Sequence, residues 1–463
     1  MFSRSCLIAV LACAACSSSP RAAHDPLPVT PPIREAVPAT NDAGKPAPSP
    51  AEPLPPAEPA AADPRSIIAE PTDEAAHVFD PALLHTFDVG IAAADLQTVD
   101  ANPAAEQYVP ARVRFEGQTY DAGYRYKGSL GAFFPPCTDF LTQAKQGKCS
   151  IKLSFNWMNP DGRFFGLKKL LFHAMNNDPS LLRERLGYAL FREMGVPAPR
   201  ASHAVLRVNG KAELYALVEE VDGRFTRSRF VEGGKGNLYK EIWPVHDDTA
   251  AYVAALETND AQPNVERIQR FRRAVEQGPE AMAAWLDVDV TTSYMAVDRV
   301  ILNDDGAFHF YCFERAIGNN PKAPGNHNYY WYEAAQTDRV WIIPWDLDMA
   351  MNDSGQPPHI EVDWRAPADA AQCNVCAGSA LGAGSPPPGC DRVIQGFRAY
   401  RAMYDAKVDR FVAGPFSKAA VDQRLRRWQQ QLASAGYTVP AEAFDQLTQV
   451  LDRARLNRGF RYP

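Results

Sequence analysis

The sequence has no excess of positive charge: its 463 residues carry a formal net charge of −7. That argues against a nucleic-acid partner, which usually needs a basic face, and none is expected. Past its first residues there is no run long and apolar enough to span a bilayer. There is no internal repeat and no regular alternation of strand and helix, which excludes a repeat architecture and a doubly wound sheet. What remains is a chain 46% hydrophobic and 22% charged. It is long enough for one large domain, or two ordinary ones, with substantial cores.

The opening stretch MFSRSCLIAVLACAACSSSP joins Arg4 to a short apolar run and then to small residues around cysteine, the pattern of an export signal. The run AACS resembles a bacterial lipobox, which predicts a lipoprotein signal peptide over 1–16 and a lipid on Cys16. Cys13, in VLAC, is a second option, and an unlipidated secretory signal cut near Ala15 a third. Residues 17–75 are rich in Pro, Ala, Ser and Glu, too poor in apolar surface to fold. Their prolines favour extended conformations, so this segment reads as a semi-stiff tether for a folded domain over 76–463. The expected location is exported and lipid-anchored at the bacterial cell envelope, in the outer membrane, or else secreted.

Export meets oxidising conditions, so Cys137, Cys149, Cys312, Cys373, Cys376 and Cys390 are expected to form disulfides. Cys137 and Cys149 would staple one long loop. Cys373, Cys376 and Cys390, with His359 nearby, leave a zinc site as the alternative.

The order of elements predicts an α+β fold. Residues 108–127 alternate around Glu116-Gly117 as a hairpin, and SIKLSFNW and FFGLKKLLFHAM read as further strands. DPSLLRERLGYALFREMG reads as a helix capped by Asp178 and ended by Gly195, with Leu182, Leu186, Ala189, Leu190 and Met194 on its apolar face. A second hairpin turns at Asn209-Gly210. Residues 264–302 are mostly helical by pattern, HNYYWYEA and VWIIPWDLD form a strand pair, and the chain from Arg392 onward is helical.

The chemistry concentrates in acidic residues. Asp346 and Asp348 end an apolar strand and, two apart, share a face. Asn303, Asp304 and Asp305 follow a helical run, and Asn326, His327 and Asn328 precede a strand. Clustered Asp and Asn oxygens suit hard cations such as Mg²⁺ or Ca²⁺. Capping and turn formation is the plain alternative. Lys127, in RYKGSL, and Lys152, inside an apolar strand, are the cations that phosphates would meet; an outward-facing Lys152 is the plain reading.

These segments carry a resemblance. YRYKGSL, KLSFNW, DPSLLRERLGYALFREMGVPAPRASHAVLRVNG, LVEEVDGRFTRSRF, GNLYK, HNYYWY and IPWDLD, in that order, resemble the CotH family, named for a spore-coat protein and described as atypical secreted protein kinases. The resemblance implies a two-lobed, kinase-like fold, with a strand-rich lobe over about 76–240, a helix-rich lobe over about 241–463, and dependence on ATP and Mg²⁺, with Mn²⁺ or Ca²⁺ as substitutes. The family's N-x-D-G element falls on Asn303, Asp305 and Gly306, making Asp305 the catalytic aspartate and Asn303 a metal ligand. Its W-D-x-D element falls on Trp345 to Asp348, making Asp346 the Mg²⁺ ligand and Asp348 its helper. Lys152, or else Lys127, would pair with the phosphates, and Glu184 would position the lysine. Glu219 would lie on the strand leading to the nucleotide pocket, and Asn328 would bind nucleotide.

Phosphoryl transfer asks for a metal across the phosphates, a lysine, and an aspartate at the attacking oxygen, and these residue types are all present. The chain lacks a G-x-G-x-x-G loop and an H-R-D motif, so a scan for ordinary kinases passes over it; RYKGSLGAFF is the candidate cover for the phosphates. One departure stands out. AFHFYCFERAIGNNPKAPGN separates the N-x-D-G element from HNYYWY, so that His309 or His327 matches the family's histidine. The insertion would reshape acceptor specificity or abolish activity. The expected partners are ATP and a surface or envelope protein bearing Ser or Thr. The competing readings are an inactive metal- or nucleotide-binding structural protein of the envelope or coat, and a hydrolase with an Asp-rich metal site.

Overall fold

The computed structural model describes residues 67–128, 136–139, 141–245, 247–303, 305–310, 325–326, 328–352, 369, 371, 373 and 387–458. The signal expectation and residues 17–66 of the tether therefore lie outside the described residues, as do Asp304, Cys312, His327, His359 and Cys376. Residues 67–75 are described, with Ile67 bridged to Phe230, Asp73 paired with Arg200 and Ala75 buried.

The fold is α+β. Seven strands close into a barrel: β1 (His85–Ile91), β2 (Val109–Phe115), β3 (Gln118–Tyr126), β4 (Ile151–Ser154), β5 (Lys169–His173), β6 (Ala201–Val208) and β7 (Lys211–Val218). The spatial order is β1-β2-β3-β4-β5-β7-β6. All neighbours are antiparallel except β1 and β6, whose parallel pairing closes the ring. Strand β2 alternates buried and exposed along its whole length, putting Val109, Ala111, Val113 and Phe115 inside. The interior is aromatic: Phe87 stacks on Phe115 at 4.7 Å, and Phe155 on Phe164 at 4.8 Å. Both expected hairpin turns form, and each places two successive residues at positive φ, Glu116 and Gly117 in one, Asn209 and Gly210 in the other.

Helix α1 (Ala93–Ala101) follows β1. Between β5 and β6 comes α2 (Arg183–Glu193), shorter at its start than its sequence suggests. Asp178 does not cap it directly. Its carboxylate instead accepts from the backbone N–H of Ser180 and of Arg183, holding a tight turn in which Leu181 takes positive φ. Leu182, Leu186, Leu190 and Met194 are buried as expected, and Ala189 is half-buried.

After β7 the chain builds a second, helix-rich hydrophobic cluster. It contains α3 (Gly223–Arg229), α4 (Thr249–Ala254), α5 (Glu266–Gln277), α6 (Pro279–Ala283), α7 (Val288–Val300), α8 (Arg392–Phe397), α9 (Arg401–Ala413), α10 (Lys418–Ser434) and α11 (Ala441–Asn457). A three-stranded antiparallel sheet joins them, ordered β10-β9-β8, from β8 (Asn237–Lys240), β9 (Tyr329–Glu333) and β10 (Val340–Pro344). Every residue of β9 and β10 is buried, which is why VWIIP reads as a continuous apolar run.

Two disulfides are present among the described residues, Cys137–Cys149 and Cys373–Cys390. The first is the expected loop staple. The second takes Cys373 and Cys390 out of any zinc site.

Candidate catalytic and metal-binding site

Strand register places the site. Arg125 pairs with Lys152 and Lys152 with Leu171, while Lys127 continues the ladder by donating its N–H to the Ser150 carbonyl at 3.0 Å. Because side chains two apart share a face, Lys127, Lys152, Lys169 and His173 all stand on the outer face of the barrel. The inner face holds Tyr126, Ile151, Leu153 and Phe172.

Against this outer face come α2 and the turn that follows β10. The turn Leu347–Met349 packs on α2 at Gly187, where an added Cβ would lie 2.9 Å from Leu347 Cδ1. Glycine inside a helix costs about 1 kcal/mol relative to alanine. Here it admits Leu347, the residue between the two aspartates, close against the helix.

The centre is a chain of polar contacts. Lys127 Nζ hydrogen-bonds His173 Nε2 at 3.0 Å, and His173 Nδ1 reaches Glu184 Oε1 at 2.7 Å. His173, Glu184 and Asp346 bring a ligand atom each to within 4.8 Å of one another. Asp346 adopts positive φ, and its N–H donates to the Tyr188 hydroxyl at 3.0 Å. Trp345 walls the site, with Lys127 5.9 Å above its ring and the His173 ring edge-on at 5.8 Å. Asn177 donates to Asp348 at 2.9 Å. Asn328 donates through Nδ2 to both the carboxylate and the carbonyl of Asp305, at 2.8 and 2.9 Å. The Trp345 N–H donates to the Asn328 carbonyl, tying the Asp305 loop to the strand that delivers Asp346.

The electrostatics are those of crowded, buried carboxylates. Burial pushes the Glu184 carboxyl well up, and Asp346 pushes it further. Burial, then Asp346 and Glu184, do the same to Asp348, with Asp305 adding to it. Burial drives Lys127 down, opposed by Asp346. Burial and the Lys127 charge take His173 down to about 3, so it is neutral. Glu184 Oε2 is buried without a hydrogen-bond partner. Rich in carboxylate oxygens and partly unpartnered, this set fits a hard divalent ion such as Mg²⁺.

The structure brings Asp346, Asp348, Glu184 and Lys127 together, with Asp305 and Asn328 alongside. Asn303 is buried and donates to Asp298 at 2.8 Å. Lys152 is half-buried rather than free in solvent, and its partner is Glu220 at 3.0 Å, which also holds Lys169 at 3.3 Å. Glu219 sits apart from these cations, fully buried, held by Arg200, Arg224 and Arg229 at 2.6, 2.9 and 2.6 Å. Burial alone would raise its pKa, but the three guanidiniums bring it down to about 2.

Sequence reasoning did not single out His173, Tyr188, Asn177 or Glu220. His173 had a readable signal, a lone histidine ending the apolar strand KLLFH just before the helix. Glu220 was separable from Glu219 only by strand parity, which the register supplies.

A family model described as "CotH kinase protein" matches residues 125–447. The "Inner spore coat protein H" of Bacillus subtilis (strain 168) is 23% identical over 274 residues, covering 55% of this chain and 65% of that protein. The "Inner spore coat protein H-like protein" of the same organism is 48% identical over 74 residues, 16% of this chain and 22% of that protein. Both matches thus span less than two thirds of the relative's own length.

Proposed function

The chain belongs to the CotH kinase protein family, and from that premise we propose that it is an ATP-dependent phosphotransferase acting on Ser or Thr hydroxyls of surface or envelope proteins. The observation that carries the reading is the convergence of Lys127, Glu184, Asp346 and Asp348 in one buried, carboxylate-rich site.

Asp346 and Asp348 would hold Mg²⁺, which when bound supplies charge neutralisation across the phosphates. Lys127, whose ammonium feels the Asp346 and Glu184 carboxylates, takes the phosphate-pairing role, with Lys152 at the Glu220 side of the same face. Glu184 acts on Lys127 through neutral His173, keeping the lysine in place while leaving its remaining protons for an anion. Asp305 orients the acceptor hydroxyl, with Asn328 fixing its carboxylate. Export and lipid anchoring belong to this proposal; the disulfides are compatible with them. Among the described residues no helix is long and apolar enough to cross a membrane.

The test is incorporation of label from γ-labelled ATP with Mg²⁺ or Mn²⁺, comparing the full chain with Asp305→Ala, Asp346→Ala and Lys127→Ala. Incorporation lost in all three, with fold retained, supports the kinase. ATP-dependent thermal stabilisation without incorporation identifies instead an inactive nucleotide-binding structural protein. Neither signal removes nucleotide chemistry altogether.

A further inference from the structure

A second convergence of ligating side chains, sharing no residue with the site above, lies where β1 begins. His77 follows the short turn Glu74–Ala76, His85 opens β1, and Glu116 occupies the β2–β3 turn. Their ligand atoms lie within 4.8 Å of one another.

The hydrogen bonds define which atoms are available. His85 Nε2 lies 2.8 Å from the His77 carbonyl, so that nitrogen carries the hydrogen and donates. The lone pair is left on Nδ1, which faces Glu116 Oε1 at 3.7 Å, too far for a hydrogen bond. A buried imidazole lone pair thus looks at a carboxylate oxygen, an arrangement that calls for a cation between them. His77 Nε2 meets the same carboxylate oxygen at 2.8 Å. Metal–ligand bonds of about 2.0–2.2 Å at a tetrahedral centre put ligand atoms roughly 3.3–3.6 Å apart. The two separations, one shorter and one longer, bracket that range.

Two further features fit. Phe115 and Phe165 lie 5.1 Å from His85 and 5.7 Å from His77 respectively, giving the cluster an aromatic floor. Glu116 also holds positive φ in a turn position that asparagine or aspartate fills more easily. Its longer arm reaches the histidines.

We propose that His77, His85 and Glu116 form a site for a borderline-soft divalent transition-metal ion, Zn²⁺ above all, with the remaining position open to water. The His85–carbonyl hydrogen bond is the outer contact that orients such a ligand. On binding, the hydrogen on His77 Nε2 leaves by way of solvent, which frees that nitrogen's lone pair for the ion. The ion cross-links the segment entering the barrel, the first residue of β1 and the β2–β3 turn.

The test uses the full chain stripped with EDTA and titrated with Zn²⁺ against a chromogenic chelator, and separately with Co²⁺. Asp346→Asn, in the other site, should still bind Zn²⁺ here. His77→Gln and Glu116→Gln, both on exposed side chains, should each weaken binding by at least about tenfold while circular dichroism stays native. That is the lower end of what losing even an outer contact does. Co²⁺ should give tetrahedral d–d bands without a thiolate charge-transfer band. Absence of Zn²⁺ binding by the parent chain overturns the proposal. So does binding unaltered in both glutamine variants, or binding that carries the thiolate band.

Discussion

Two adjacent glutamates show how much one residue decides. Glu219 and Glu220 differ only in the face they take, and their partners differ completely. Glu219 balances three guanidiniums, of which Arg229 is fully buried and Arg200 nearly so. Removing one partner of a buried ionic cluster costs about 3–5 kcal/mol, because the opposite charges stay buried and uncompensated. Glu219→Gln should therefore lower urea-unfolding stability by that order. Glu220→Gln should cost much less and act on nucleotide affinity, since it frees Lys152 and Lys169. If Glu219→Gln folds normally but binds ATP poorly, Glu219 belongs to the nucleotide pocket after all. His203 gives a second residue-level prediction. Its ring is wholly buried, donating from Nε2 to the Leu181 carbonyl at 2.6 Å and accepting at Nδ1 from Arg185 at 2.9 Å. Burial, then Arg185, takes its pKa from 6.5 down to about 3. The folded chain thus excludes a proton that the unfolded chain binds. Stability is complete above pH 6.5 and falls towards pH 3, by up to about 1.4 kcal/mol per pH unit from this group. His203→Gln should shallow the dependence of unfolding free energy on pH in that window. His173, depressed in the same direction, leaves a residual slope.

At the scale of elements, the pieces that local chemistry specifies were legible. Alternation in β2, the Glu116-Gly117 and Asn209-Gly210 turns and the apolar face of α2 all follow from short-range rules. Closure of the barrel through parallel β1–β6 pairing was not, because nothing local encodes a partner so far along the chain. The site shows the same division. Asp346 and Asp348 were legible as carboxylates ending an apolar strand, whereas the contact of Lys127 with His173 depends on a register that only pairing fixes. The turn after β10 is the element that turns strand into site. Asp346 takes φ of 50° there, a conformation asparagine tolerates and alanine resists. Asp346→Asn should keep or slightly raise thermal stability, because it removes one of the crowded carboxylates, while abolishing any Mg²⁺·ATP-dependent rise in Tm. Asp346→Ala should lose that rise too, and fall about 1–2 kcal/mol below the asparagine variant in chemical unfolding. Equal stability of the two would mean that the backbone there is unstrained. The Asp305 loop is built as tightly. A Cβ on Gly306 would lie 2.3 Å from Asn303 Nδ2 and 2.7 Å from Asp298 Oδ1. Gly306→Ala should break the Asn303–Asp298 hydrogen bond and cost about 1–3 kcal/mol as overpacking, readable in the unfolding midpoint.

For the whole molecule, the disulfides separate stability from function. Cys137–Cys149 closes a loop between residues 12 apart, Cys373–Cys390 one between residues 17 apart. Loop-closure entropy rises only with the logarithm of length, so each should contribute about 3 kcal/mol. Replacing either pair by serine should lower unfolding stability by similar amounts, and reduction of the intact protein should lose both contributions. Their positions are not equivalent. The first disulfide lies within the connection from β3 to β4, which leaves the barrel at Lys127 and returns at Ser150, and both of its cysteines are buried against the barrel core. Loosening that connection frees the Lys127 ammonium from His173 and from the carboxylates it serves. The Cys137→Ser/Cys149→Ser protein should therefore lose most of its ATP-dependent thermal shift and label incorporation, even at a temperature where it is fully folded. The Cys373→Ser/Cys390→Ser protein, equally destabilised, should keep both once the assay temperature is lowered to match. Equal loss of nucleotide response in the two would mean that global stability, and not the placement of Lys127, links the disulfides to the site.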